Sequence, residues 1–144
     1  LPLLEQSSCG RVLFVSSELY KRAKVSADNP LSTGKFNSSR VYAQSKMLLT
    51  LLADVLAKEY PGTEFFSVHP GVIATDVFRD YPEFFTKLLN KLLPGPEKAA
   101  ELLAGLAVKD FPAPSGSYFM EQKPSPIVEP KGADRIKAAL LEYF

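Results

Sequence analysis

At 144 residues and a net charge of +1, the chain has the size of one domain and no electrostatic bias toward nucleic acid. Apolar residues make up 46% and charged residues 23%, and Lys, Asp, Glu or Pro interrupts every apolar stretch, so no membrane span is expected. A single cysteine, Cys9, excludes an intrachain disulfide, and a single histidine, His69, argues against a Cys/His metal site.

LPLLEQSSCG reads as the last turns of a helix that runs out through Ser7 and Ser8 to a C-cap at Gly10. The continuous apolar run at 12–15 follows, as a buried parallel strand would, and Ser16 and Ser17 stand at its C-terminal end. Residues 18–39 are polar and carry Asn29-Pro30, so a long surface loop is expected there, with Ser39 as N-cap of the next helix. That helix, 40–60, is the longest periodic segment, with Leu48, Leu49, Leu51, Leu52, Val55 and Leu56 forming a broad apolar face. Pro61-Gly62 turns the chain into EFFSVHP, a second buried strand whose last residue before Pro70-Gly71 is His69. Strand, helix, strand in this order is a βαβ unit, which implies a parallel sheet and a right-handed crossover. Beyond it, the pattern predicts a short amphipathic helix over 82–93 and another starting at Pro96. A strand over 115–122 and a C-terminal helix from Ala133 complete the chain.

Three features converge on one edge of such a sheet. Ser16-Ser17 and Pro70-Gly71-x-x-x-Thr75 leave the C-terminal ends of successive strands, where ligands bind in open α/β sheets. Tyr42 and Lys46 open the intervening helix at i and i+4, on one face. A cation beside a phenol stabilises the phenolate, and a phenol so placed can exchange a proton with a reacting group. Tyr-x-x-x-Lys also arises in purely structural helices, and this chain holds a second copy in Tyr20 and Lys24. That copy leads only to Asn29-Pro30 and a loop, whereas Tyr42 and Lys46 lead into the 40–60 helix. Ser17 and Thr75-Asp76 also suit a strand end and a turn cap.

In this order and on these elements, RVLFVSS, YAQSK and SVHPG resemble the C-terminal half of a classical short-chain dehydrogenase/reductase. The likeness is greatest to the retinol-dehydrogenase-like and carbonyl-reductase-like branch. The resemblance implies one α/β domain over 1–144, a doubly wound, parallel-sheet Rossmann-like fold lacking its N-terminal half. It implies an oxidoreductase that interconverts an alcohol and a carbonyl with NAD or NADP, the branch favouring NADP. Tyr42 becomes the general acid/base, Lys46 its electrostatic partner and a ligand of the nicotinamide ribose, and Ser17, rather than Ser16, the group that polarises the substrate oxygen. Pro70, Gly71, Val72, Ile73 and Thr75 become the loop beside the nicotinamide. No metal and no nucleic acid are implied. The substrate would be a small apolar alcohol or ketone, with 78–93 in its binding region, and the 40–60 helix would build a homo-oligomer. Cytoplasmic and membrane-associated locations both stay open, since targeting segments would precede Leu1.

Two departures accompany the resemblance. Ser17 precedes Tyr42 by 25 residues, so 21–38 reads as an insertion of the kind this branch carries. No two glycines stand two positions apart, so the pyrophosphate-binding G-x-G-x-x-G is absent from the sequence. Two alternative functions therefore stand beside the enzyme: an inactive, truncated product acting through a partner, and a nucleotide-sugar epimerase or dehydratase on the same scaffold.

Overall fold

The strand β1 (Arg11–Val15) pairs in parallel with β2 (Glu64–His69), in register from Arg11↔Glu64 to Val15↔Val68. Between them runs α2 (Ser38–Glu59), so the βαβ unit expected from the sequence is present. The structure, a computed structural model, describes residues 2–8, 10–26, 28–31, 35, 37–72, 94–108 and 113–143. A short α1 (Pro2–Glu5) precedes β1, and a 3₁₀ turn (Glu18–Arg22) follows it. Past β2 come α3 (Pro96–Val108), β3 (Tyr118–Met120), β4 (Lys123–Ser125) and α4 (Ala133–Leu141). The described strands form one sheet in the order β1-β2-β3-β4. β3 is parallel to β2, and β4 turns back antiparallel. This is a Rossmann-like α/β arrangement.

β2 is paired on both sides and, apart from Glu64, buried along its whole length, which is why its sequence reads as a near-continuous apolar run. Alternation sends Phe65 to the side of α2 and α4, where it packs with Met47, Leu51, Leu56, Tyr118, Ile136 and Leu140. Phe66 and Val68 go to the other side, against Leu102 and Leu106 of α3 and Phe119. The sheet is thus the middle of three layers. Leu51 is fully buried, so truncating it to Ala would cost about 2–5 kcal/mol. The buried stripe of α2 also takes in Ala43, Gln44, Met47 and Thr50, whereas Leu48 and Leu49 are half-buried at its flank. Gln44 tolerates burial because its Nε2 donates to the Pro30 carbonyl at 2.7 Å.

Several local expectations are corrected. The first helix stops at Glu5 and does not reach Gly10. Gly10 is needed for close packing: a Cβ there would run into the Leu4 carbonyl. The cap of α2 is Asn37, whose Oδ1 accepts from the Arg40 amide at 3.0 Å, so the helix begins one residue before Ser39. Residues 18–22, expected as loop, form the 3₁₀ turn. Tyr20 of that turn is fully buried; its hydroxyl accepts from the Val128 amide at 3.0 Å, and its ring meets Tyr118 edge-on at 5.0 Å. The second Tyr-x-x-x-Lys copy therefore contributes a core residue. β4 was not expected at all. The predicted helix at 82–93 lies outside the described residues.

Candidate active site

Parallel pairing puts the ends of β1 and β2 side by side. The Ser16 amide donates to the Val68 carbonyl at 2.7 Å, carrying the ladder one step past β1. Ser16-Ser17 and Pro70-Gly71 thus emerge from neighbouring strands at one sheet edge. Ser16 is 3% exposed, and its Oγ lies 3.0 Å from the Lys46 carbonyl and 2.7 Å from Thr50 Oγ1. It is a strut between β1 and α2, consistent with Ser17 being the preferred candidate. Ser17 sits at the mouth of the 3₁₀ turn with extended backbone, and its Oγ accepts from the Leu19 amide at 3.3 Å. That bond is long and uses one lone pair. The hydroxyl proton keeps its freedom to donate.

Tyr42 and Lys46 lie one turn apart at the start of α2, and the Lys46 ammonium rests 5.4 Å from the centre of the Tyr42 ring. Lys46 Nζ donates to the Val15 carbonyl at 2.9 Å. A last-strand carbonyl thereby holds the cation against the sheet edge, leaving two of its three donors for other acceptors. Tyr42 is 44% exposed, as a residue must be to meet a ligand. The structure therefore brings Tyr42, Lys46 and the end of β1 together, with Ser17 two residues beyond the carbonyl that anchors Lys46. Nothing in the sequence marks the Val15 carbonyl as a partner, because any residue type supplies one.

On the β2 side, Pro70, Gly71 and Val72 follow the strand, while Ile73 and Thr75 lie outside the described residues. Gly71 has φ +91°, which L side chains rarely adopt, and a Cβ there would sit 3.1 Å from Glu121 Oε1. A glycine at this position lets the backbone leave the strand sharply and pass beside β3. The Glu121 amide closes that edge by donating to the His69 carbonyl at 2.7 Å. His69 itself is 9% exposed. Burial pushes its imidazole below the ordinary value near 6.5; Glu18 and Glu121 pull upward and Lys21 pushes further down. It is a strand-end residue held toward its neutral form.

Among the described residues, no group of three or more His, Cys, Asp and Glu side chains is placed to hold a metal ion. No helix among them is long and apolar enough to cross a membrane.

No protein-family model matches the chain. Bovine "Dehydrogenase/reductase SDR family member 12" is 33% identical over 129 residues, covering 88% of this chain and 41% of the relative. Mouse "Retinol dehydrogenase 14" is 30% identical over 150 aligned positions, covering 98% of this chain and 45% of that protein. Among solved structures, a short-chain dehydrogenase/reductase of Saccharomyces cerevisiae, YIR035C, superposes with a TM-score of 0.60 at 25% identity, over 85% of this chain and 49% of its own. The chain spans less than half the length of these relatives. Sequence and fold agree: the chain belongs to the short-chain dehydrogenase/reductase family and matches the C-terminal half of its members.

Proposed function

We propose that the protein carrying this chain interconverts an alcohol and a carbonyl by hydride transfer with a nicotinamide dinucleotide. The observation that carries the reading is the Lys46 ammonium, tied to the Val15 carbonyl and set against the Tyr42 ring at the C-terminal edge of a parallel sheet. The dinucleotide, when bound, supplies or accepts the hydride. Lys46, with two donors to spare, suits a ribose hydroxyl, and Gly71, at φ +91°, turns the backbone sharply out of β2 at the same sheet edge. These residues fit the nicotinamide–ribose end; the sequence holds no glycine-rich cradle for a pyrophosphate. NADP is favoured over NAD only by resemblance to the carbonyl-reductase-like branch.

In the reductive direction, charge develops on the substrate oxygen. Tyr42 gives that oxygen its phenolic proton, and Ser17 Oγ donates a second hydrogen bond to it. Two donors held in place before reaction stabilise the developing charge without reorganising. The Lys46 cation compensates the phenolate left behind. In the oxidative direction the same phenolate takes the alcohol proton. A small alcohol or ketone with an apolar carbon skeleton is the proposed substrate, consistent with a relative named as a retinol dehydrogenase.

Tyr42→Phe keeps the ring over Lys46 and deletes the proton. Turnover is expected to fall by the factor of about 10²–10⁴ that general acid–base catalysis supplies, with dinucleotide binding largely intact. Unchanged turnover in Tyr42→Phe would remove the assignment.

A further inference from the structure

A cleft of about 550 Å³ opens between the 3₁₀ turn and the start of α2. Arg22 and Lys24, at the end of the 3₁₀ turn and just past it, and Arg40, in the first turn of α2, line it together with Leu19 and Ala43. Asn37 and Ser39 complete its rim. Arg22, Lys24 and Arg40 are exposed and form no ion pair among the described residues.

The acids of this region are already engaged. Residues 18–40 hold five bases (Lys21, Arg22, Lys24, Lys35, Arg40) and two acids (Glu18, Asp28), a local charge of +3. The rest of the chain holds twelve bases and fourteen acids, a charge of −2. Glu18 is paired with Lys21 at 3.1 Å and Asp28 with Arg135 at 2.5 Å. α2 adds to the field: it is 22 residues long with no acid in its first turn. The Ser38 and Ser39 amides have no acceptor among the described residues.

We infer that this cleft binds an acidic group, a carboxylate or phosphate ester, carried by the substrate. Cations from two separate elements line one concavity, which suits a compact anion; a flat anionic surface would touch only the outermost side chains. The apolar pair Leu19 and Ala43 then faces the substrate's carbon skeleton. The position ties cleft to chemistry. Ala43 adjoins Tyr42, and the Leu19 amide is the donor to Ser17 Oγ. The identity of the anion's carrier rests on the oxidoreductase reading above; the anion site itself does not.

The test is a titration of the protein with inorganic phosphate, followed by amide resonances. Saturable shifts are expected at Leu19, Arg22 and Lys24 and across 37–43. Affinity should fall about tenfold in Arg22→Gln and in Arg40→Gln, as loss of one charge-assisted bond implies, and stay unchanged in Tyr42→Phe. Shifts of equal size at Lys58, Lys123 and Lys131 would reduce the effect to general screening and overturn the proposal. So would phosphatidylserine vesicles perturbing these resonances where phosphate does not, which would make the surface a membrane contact. Phosphate binding as expected, in a protein that transfers no hydride to carboxylate-bearing carbonyl compounds, would refute the substrate role and leave the anion site standing.

Discussion

Ser16 and Ser17 are adjacent, both buried and both at a strand end, yet Ser16 Oγ bridges β1 to α2 while the proposed substrate contact falls to Ser17, a difference that mutagenesis can separate. Ser16 Oγ, Thr50 Oγ1 and the Lys46 carbonyl form a triangle with sides of 2.7, 2.9 and 3.0 Å. Two hydroxyl protons serve it. If Thr50 donates to the carbonyl and Ser16 to Thr50, every donor is used. Ser16→Ala then orphans no donor, because Thr50 keeps the carbonyl, and the cost is one net hydrogen bond, about 1 kcal/mol. Thr50→Val lets Ser16 turn to the carbonyl directly, again at about 1 kcal/mol. Because each can substitute for the other, the double variant should be non-additive by about 0.5–1 kcal/mol. Ser17→Ala loses only a 3.3 Å cap to the Leu19 amide, so its stability cost should be about 0.5 kcal/mol or less. Urea unfolding reads these differences as shifts in midpoint at constant slope. If Ser17→Ala proved more destabilising than Ser16→Ala, the division of labour between strut and substrate-facing hydroxyl would be refuted.

Further consequences are equally open to measurement. Asp54 loses from partial burial but gains more from Lys137 at 2.8 Å and Lys58 at 3.0 Å, so its pKa lies below the ordinary carboxylate value. A carboxyl depressed in the folded state stabilises above its unfolded pKa and loses that contribution as pH falls through the folded value. Asp54→Asn should therefore cost about 1 kcal/mol at neutral pH, after allowance for screening, and flatten stability in the acid range below about pH 4. A wild-type acid limb retained in that variant would contradict the assignment. Tyr118 is fully buried, its hydroxyl has no partner among the described residues, and burial raises its pKa. Tyr118→Phe should be neutral or stabilising by up to about 1 kcal/mol, and a loss of more than that on thermal unfolding would reveal a hidden partner. Gly71→Ala must adopt φ near +91° and crowd Glu121, for a cost of about 1–3 kcal/mol, with dinucleotide affinity falling as well. Unchanged stability in that variant would mean the turn relaxes freely.

What the sequence revealed depended on how many layers held each residue. β2 is an apolar run packed between helices and α2 presents a long helical stripe, so their patterns survive without tertiary context; β1, expected as buried, is the same kind of run but only half-buried, with Val15 exposed. β4 escaped notice because Lys123, Pro124 and Ser125 form a polar edge. Its pairing depends on Phe119 and Met120 arriving opposite, and an edge strand tolerates proline. Gly10 resembled a helix cap by type, but its need for space comes from Leu4, a contact that exists only after folding. Asn37, Ser38 and Ser39 are all capable caps, and side-chain reach to Arg40 decided among them. At the candidate site, the i, i+4 spacing of Tyr42 and Lys46 was legible. The anchor for Lys46 was not, being a main-chain carbonyl. The contrast between Tyr20 and Tyr42 followed context: one lies fully buried against the C-terminal segment, the other is open to solvent.

The central claim is that Tyr42 delivers a proton to an oxygen whose carbon receives hydride at this sheet edge. The most direct measurement uses a dinucleotide deuterated at the transferring position of its nicotinamide, a simple ketone, and the native full-length protein, followed by mass analysis of the alcohol. Deuterium on the carbinol carbon, lost when Tyr42 is replaced by Phe although the dinucleotide still binds, is the predicted result. Deuterium transfer that persists undiminished without the Tyr42 hydroxyl would contradict the account.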